Sequence, residues 1–477
     1  MSSDHTRPEG DAFIGGSAPG RLAGRPMRFL ARMIACLAAV AFATQPAAAQ
    51  SILRDAETEA LLQDLVDPLA EAAGLRPGAV EVVLVNDSSL NAFVAGGQRI
   101  YVHSGLINSA DDAGQVQGVL AHELGHITGG HIIRYGEGIS KATNITILSM
   151  LVGVAAALAG AGDAAMGVMA MGQQAALGSF LAFTRAQESS ADAAGATYLS
   201  QAGISGRGSL EFFKKLQNLE FRYGYSQDDD AAYARTHPLS GDRIATLRED
   251  YVRDPAWDKP SDPEIERRFQ RIKGKLYGYL ARPEETLRRF PEHMTGEPAR
   301  YARAYAYHKQ AKIAEALKET DALLAADPED PYFLELKGQV LLESGRPGEA
   351  LESLRRATVL TANDPLIAGT FGHALVATEE KEHLEEAERV LRAAVGRDRE
   401  NPFAWYQLGM VYAAKGDMPR ARLASAEQQI MSGRPAEALH NAEAAEAALP
   451  TGTPDWLRAQ DIAMQARAQL EREKDRK

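Results

Sequence analysis

Residues 122–126 read His-Glu-Leu-Gly-His, and the types and spacing of these residues suit metal chemistry. Residues four apart lie on one face of a helix, so both imidazoles can converge on one ion. Two such histidines supply half of a tetrahedral zinc site. Glu123 stands next to the first histidine, where it can reach a zinc-bound water and act as a base. A catalytic zinc needs a further protein ligand, which another part of the chain has to provide.

His131 is the first candidate for that ligand, but its spacing argues against it. In the metzincin pattern H-E-x-x-H-x-x-G-x-x-H the third histidine would fall at position 132, which is Ile132. If the helix continued, His131 would point about 140° away from His126. We therefore expect His131 to be a surface or second-layer histidine rather than a ligand.

Glu188 is the better candidate, because gluzincins complete the site with a glutamate from a later helix. Asp192 follows Glu188 by four residues and would share its helical face. A carboxylate there can accept the outer N–H of a zinc-binding histidine and fix its tautomer. The simpler alternative is a solvated helix face, on which such pairs are common.

His237 precedes a proline that restricts its backbone and begins a helix. Three roles are open to it: stabilising the oxyanion of the tetrahedral intermediate, occupying the open position of zinc to hold the enzyme latent, or packing at a helix start. Arg243, six residues later, could support the first two roles or form a structural ion pair.

Short β-rich segments at residues 80–85, 91–94 and 99–103 predict a small antiparallel sheet, with a hairpin turn at Gly96-Gly97. The zinc helix is predicted to begin near Asp111 or Asp112 and to end at Gly129-Gly130. Gly125 inside the motif suggests that another backbone packs closely against this helix, although a loosely tolerated glycine is the alternative.

Two uncharged stretches, residues 145–162 and 164–183, follow the zinc motif and are separated by Asp163. Their length would suit a transmembrane hairpin, but their alanine and glycine content contributes little to membrane insertion. Three alternatives stay open for residues 145–183: a packed helical pair, an apolar lid or peripheral membrane contact near the site, and a spanning hairpin.

The first 49 residues have the features of an export signal, with Met27 as an alternative start. A basic region precedes the apolar run 33–43, and Ala47-Ala48-Ala49 gives an A-x-A cleavage site before Gln50. The single cysteine, Cys36, lies inside this segment, so the mature chain would contain none. The net charge of -12 and the lack of a long basic block argue against nucleic-acid binding.

The C-terminal half repeats with a period of 34 residues, seen between Asp330-Pro331 and Asp364-Pro365 and between Ala316 and Ala350. About four helix pairs with this period resemble tetratricopeptide repeats. An insertion near residues 379–383 shifts the later positions. The predicted organisation is a signal peptide (1–49), a metallopeptidase domain (50–253), a linker (254–263) and a repeat domain (264–477).

The motif at 122–126, the pair Glu188 and Asp192, and Thr236-His237-Pro238 occur in the order that is found in HtpX-like and CAAX-prenyl-protease zinc metallopeptidases. With the export signal and the repeats, the whole chain resembles the periplasmic β-barrel assembly-enhancing proteases. The resemblance implies an α+β gluzincin-type domain, mostly helical with a small antiparallel sheet, followed by an all-α repeat solenoid. It also implies one Zn²⁺ on His122, His126 and Glu188, base catalysis by Glu123, and a catalytic or regulatory role for His237.

The predicted function is a zinc-dependent periplasmic endopeptidase that degrades misfolded or stalled outer-membrane proteins and assists their assembly through its repeats. The repeats would recruit unfolded clients or the barrel assembly machinery. The alternative is a periplasmic chaperone or scaffold with a latent or regulatory metal site. An extended client is predicted to pair with an edge strand formed by Arg99, Ile100, Tyr101, Val102 and His103.

Overall fold

In the computed structural model, which describes residues 51–158, 162–223, 237 and 241–475, a four-stranded sheet packs beside the helix that carries the metal motif. The export signal predicted for residues 1–49 lies outside the described residues. The strands have the spatial order β1-β2-β4-β3. They are β1 (Ser51–Leu53), β2 (Glu81–Asn86), β3 (Ala92–Ala95) and β4 (Arg99–His103).

The predicted hairpin between β3 and β4 is confirmed, because these strands pair antiparallel across Gly96 and Gly97, both of which have positive φ. The sheet as a whole is mixed rather than antiparallel. After β2 the chain skips one strand position, forms β3 at the far edge and returns as β4 in the gap. β4 therefore runs parallel to β2, while β1 and β2 are antiparallel.

The prediction that Arg99–His103 offers an open edge to a substrate is wrong. β4 pairs with β2 along one side and with β3 along the other, so its backbone groups are already used within the sheet. Within the described part of the chain, the outer strands of the sheet are β1 and β3.

Eight helices accompany the sheet in the N-terminal half of the described chain. Asp112 caps the motif helix as predicted, its Oδ1 accepting the backbone N–H of Gln115 at 2.9 Å, and the helix ends before Gly129. Its buried residues, such as Val116 and Leu120, pack against leucines of the first helix and against the sheet. The helices are α1 (Ala56–Ala72), α2 (Ser104–Ser109), α3 (Ala113–Thr128), α4 (His131–Leu158), α5 (Gly162–Gln201), α6 (Arg207–Tyr223), α7 (Gly241–Arg253) and α8 (Pro263–Leu280).

Helices α4 and α5 form the hairpin that the uncharged stretches predicted, and they pack along each other. Many of their apolar side chains nevertheless face solvent; Leu148 and Leu151 are 64% exposed and Met166 is 69% exposed. No helix in the described ranges combines the length and the hydropathy needed to cross a bilayer. A lid and a peripheral membrane contact stay predictions for residues 145–183.

The C-terminal half consists of helix pairs, as the 34-residue period predicted. Asp330 and Asp364 occupy the same place in successive pairs, where each carboxylate accepts two backbone N–H groups and a proline follows. The insertion at 379–383 contains a single 3₁₀ turn, Lys381–His383. The helices are α9 (Pro283–Arg289), α10 (Glu297–Lys309), α11 (Ile313–Ala326), α12 (Pro331–Glu343), α13 (Pro347–Leu360), α14 (Pro365–Ala377), α15 (Leu384–Arg397), α16 (Pro402–Ala414), α17 (Met418–Met431), α18 (Pro435–Ala448) and α19 (Pro454–Asp475).

A buried network of charged and polar groups joins the two halves. Glu57 on α1 accepts hydrogen bonds from Lys275 of α8 at 3.1 Å and from Tyr301 of α10 at 2.8 Å. Arg271 of α8 also contacts Glu57 and reaches Asp330 at 2.6 Å. All five side chains are buried, and residues 51–477 cluster as one compact unit. The domain boundaries at 253 and 264 stay a prediction.

Candidate metal centre

The motif helix α3 crosses α5 at Gly125, and the two helix backbones approach each other closely at this point. A Cβ atom on Gly125 would lie 2.6 Å from the carbonyl oxygen of Ala191 and 2.8 Å from its Cα atom, closer than van der Waals contact allows. The close approach predicted from this glycine is therefore confirmed. It holds Glu188, one turn before Ala191, against both motif histidines.

Four buried side chains converge at this crossing. The Nε2 atoms of His122 and His126 are 3.1 Å apart, and the carboxylate oxygens of Glu188 lie 3.4 and 3.5 Å from them. Nδ1 of His237 lies 3.1 Å from each oxygen of Glu188. One ligand atom from each residue falls within 4.8 Å of the others, a spacing and a donor set of imidazole nitrogens and one carboxylate that fit a bound metal ion.

A second layer of polar groups contacts two of these four side chains, His122 and Glu188. Asp192 Oδ1 lies 2.8 Å from Nδ1 of His122, the nitrogen that faces away from the cluster. Arg243 binds Asp192 through Nε at 2.6 Å and Glu188 through Nη1 at 3.1 Å. Asp192 therefore lies where the sequence predicted it, at the outer nitrogen of a motif histidine, and Arg243 lies where it can fix the orientation of both carboxylates.

Glu123 lies beside the cluster without being part of it. Its side chain is buried, and Oε1 lies 3.6 Å from Nε2 of His237. Glu123 is not among the four residues whose atoms converge. It therefore has the position expected of a base that acts on a group held by the cluster.

His131, rejected as a ligand from its spacing, is a second-layer residue. Its Nδ1 lies 2.9 Å from Nδ1 of His126, and the side chain is buried. This agrees with the second of the two expected alternatives, although the partner could not be named because the spacing argument assumed that the helix continued. The five β4 residues do not join the cluster; for example, Arg99 pairs with Glu81 at 2.7 Å and His103 contacts the hydroxyl of Ser89 at 2.8 Å.

The electrostatic environment treats the two motif histidines differently, because burial, together with the charges of His122 and His237, lowers the pKa of His126 to about 2. Burial alone would lower the pKa of His122, but hydrogen bonds to Asp192 and Glu188 outweigh it and raise that pKa to about 10. Burial alone would raise the pKa of Glu188, but hydrogen bonds from His122 and His237 hold it well below its usual range. His122 and Glu188 thus favour each other's ionised form, and the ionised carboxylate of Glu188 is the negative charge among the four converging side chains.

Comparisons with known proteins agree with this geometry. Residues 56–250 match peptidase family M48, and residues 301–365 and 379–430 match the tetratricopeptide repeat. The β-barrel assembly-enhancing protease of Escherichia coli K12 is 26% identical over 380 residues, which cover 78% of this chain and 75% of that protein. The protein of the same name from Yersinia pestis is 25% identical over 385 residues, covering 79% of this chain and 76% of that protein.

A shorter relative also matches part of this chain. Metalloprotease LoiP of Escherichia coli K12 is 32% identical over 191 residues, which cover 39% of this chain and 68% of LoiP. The chain is a metallopeptidase that belongs to peptidase family M48 and carries tetratricopeptide repeats after its peptidase region.

Proposed function

We propose that this chain is a zinc endopeptidase of the bacterial periplasm that degrades misfolded or stalled outer-membrane proteins. The observation that carries the proposal is the convergence of ligand atoms from His122, His126, Glu188 and His237 within 4.8 Å, with Glu123 beside them. Two histidines and a glutamate are a ligand set of catalytic zinc sites. The export signal predicted for residues 1–49 supports the periplasm, and the names of the β-barrel assembly-enhancing proteases support the client class.

In the proposed mechanism His122, His126 and Glu188 would hold the ion, which would supply a Lewis acid for the scissile carbonyl and for a water molecule. Glu123 takes a proton from the attacking water and later delivers it to the leaving amine. Asp192 accepts the outer N–H of His122, so that Nε2 of that ring faces the ion. Arg243 fixes the positions of Asp192 and Glu188 relative to each other, because its guanidinium contacts both carboxylates.

His237 has two proposed roles, and the distances favour one of them. Its Nδ1 lies at hydrogen-bond distance from Glu188 and 3.4 Å from Nε2 of His122, so it shares the space of the three ligand atoms. A catalytic zinc needs an open position for water or substrate, whereas four protein ligands close the site. We infer that His237 would occupy the fourth position of a bound ion and so keep the enzyme latent.

We propose β3, instead of β4, as the strand on which an extended client aligns. β3 is an outer strand and contacts the motif helix α3. Its neighbour Asn91 accepts the N–H of His103, and hydrogen-bonded pairs alternate along an antiparallel ladder. The backbone groups of Val94, a partly exposed residue, therefore point away from β4, where a client strand can pair with them.

Val94→Pro tests this strand, because proline removes an outward N–H while the inner ladder keeps its bonds. We expect the loss of one hydrogen bond, about 1 kcal/mol or roughly a fivefold fall in kcat/KM for an unfolded polypeptide. Val94→Ala is the matched control, since it loses the side chain and keeps the N–H. Equal kcat/KM for the proline and alanine variants, with equal thermal stability, would remove β3 from the proposal.

The repeats are proposed to recruit the client or the machinery that assembles it. A cavity of about 1040 Å³ lies between the sheet and the repeats, with Tyr101 of β4, Glu335 of α12 and His373 of α14 among its lining residues. Burial in this region raises the pKa of Glu335 to about 8. A concave surface that holds a segment of polypeptide is the usual way in which such solenoids bind their partners.

Removal and return of the metal tests the function as a whole. Chelation should abolish cleavage of an unfolded outer-membrane barrel protein, and one equivalent of Zn²⁺ should restore it. Without the ion, Glu123 could still act as a base, but nothing would polarise the scissile carbonyl. In the same assay an unfolded non-barrel protein of equal length should show a higher KM. Equal KM values would remove the client preference. Suppression of client aggregation without zinc-dependent cleavage would favour the chaperone or scaffold instead.

A further inference from the structure

We propose that His131 is a positioning residue that fixes the ring of His126, and that Gly129 and Gly130 bring it there. This inference rests on the metal role proposed above for His126. It assigns a task to a buried histidine outside the ligand set and outside the pair formed by Asp192 and Arg243.

The first step is the hydrogen-bond arrangement. Nε2 of His126 faces His122 and Glu188, while its Nδ1 lies 2.9 Å from Nδ1 of His131. If Nε2 gives its lone pair to the metal, Nδ1 has to carry the proton of the neutral ring. His126 then donates from Nδ1, and Nδ1 of His131 accepts. His131 in turn carries its own proton on Nε2, so one contact sets the tautomers of both rings.

The second step is how the chain delivers this acceptor. Gly130 has a φ of 61°, a left-handed conformation that ends α3 and allows α4 to begin at His131 in a new direction. A continuing helix would have carried His131 about 140° away from His126. The helix break at Gly130 therefore brings the ring of His131 back to His126.

The third step is the space that the ring needs. A Cβ atom on Gly129 would lie 2.4 Å from Nε2 of His131 and 2.8 Å from its Cδ2. Any side chain at position 129 would therefore push the ring away. The ring centroids of His126 and His131 are 4.9 Å apart with an interplanar angle of 78°, an edge-to-face arrangement that fits the space left by the bare Cα.

The two motif histidines consequently have different outer partners. His122 faces the carboxylate of Asp192, whereas His126 faces an imidazole. Outer partners of this kind typically change metal affinity by about 10- to 100-fold when they are removed. His131 should therefore contribute to metal affinity although it is not a ligand.

The test compares His131→Asn with His131→Phe in the full chain. Asparagine carries Oδ1 where histidine carries Nδ1 and keeps an acceptor, whereas phenylalanine keeps the ring and loses the acceptor. We expect the zinc Kd, measured by competition with a chromophoric chelator, to rise about 10- to 100-fold for His131→Phe and less than about tenfold for His131→Asn. Gly129→Ala should resemble His131→Phe because it displaces the ring without changing it.

The visible spectrum of the Co²⁺-substituted protein gives a second readout, since a rotated His126 ring would shift its bands in His131→Phe and not in His131→Asn. His126→Ala is the control for the metal site. If the parent protein binds no zinc, or if His126→Ala binds it equally well, the proposed function itself fails. Suppose instead that the parent binds zinc and His126→Ala does not. Only this inference is then overturned if His131→Phe binds zinc as tightly as the parent does, or more tightly than His131→Asn does. Should His131→Phe fail to fold, Gly129→Ala and His131→Ala carry the same comparison.

Discussion

Glu123→Gln is expected to reduce cleavage of an unfolded polypeptide by about 10²- to 10⁴-fold, the usual contribution of a general base. Glutamine has nearly the same shape as glutamate but cannot accept the proton of the attacking water. Zinc content should stay at one ion per chain, because Glu123 is not one of the four residues whose ligand atoms converge. The measurement is kcat/KM on a labelled unfolded client, with zinc determined in the same samples.

Glu137→Gln is the matched control for that substitution, because Glu137 is an exposed glutamate on α4. It should leave both cleavage and zinc content unchanged. If Glu123→Gln keeps more than a tenth of the parent activity while its zinc content is unchanged, Glu123 is not the base and the mechanism has to be abandoned. A variant that loses zinc would instead indicate that Glu123 helps to hold the ion.

His237→Ala is expected to raise activity, because it opens the position that we infer the ring to fill. If the closed form dominates, the rise equals the inverse of the open fraction, so a site that is open about a tenth of the time would gain about tenfold. The alternative role predicts the opposite result. Loss of a group that stabilises the oxyanion would lower kcat by about 10²- to 10³-fold.

The two outcomes for His237→Ala are far enough apart to be separated by a single kinetic measurement. His293→Ala provides the control, since His293 is an exposed histidine between α9 and α10. Zinc content should be measured in parallel, because three protein ligands are expected to retain the ion. Unchanged activity with retained zinc would contradict both latency and oxyanion stabilisation.

Local patterns in the sequence were sufficient to predict much of the fold and of the candidate site. The spacing of His122 and His126, and that of Glu188 and Asp192, are each set by one helical turn, so neither depends on distant parts of the chain. The cap at Asp112 and the Asp-Pro starts of the repeat helices are likewise local signals. Gly125 predicted a close backbone neighbour because a glycine weakens a helix, a cost that close packing of a second backbone can offset.

Features that depend on pairing between distant segments could not be predicted in this way. The composition of residues 99–103 indicates a strand, but only the strand order decides whether that strand has an open side, and β4 has none. The contact between His131 and His126 required a break at Gly130, since a continuous helix would have separated the rings. Whether residues 254–263 separate two parts or merely connect them depends on contacts such as Glu57 with Lys275, more than two hundred residues apart.

The buried network around Glu57 also limits how this protein can be rebuilt from parts. Its charges are satisfied by groups from α1, α8, α10 and the cap of α12, so the set is complete only when both halves are present. A buried charge that loses its partner is far more costly than one that never existed. If the peptidase of this chain were joined to foreign repeats that cover Glu57, this carboxylate would be buried without partners such as Tyr301. The sequence suggests two separable parts. A chimaera made from them would nevertheless have to exchange Glu57, Arg271 and Lys275 together.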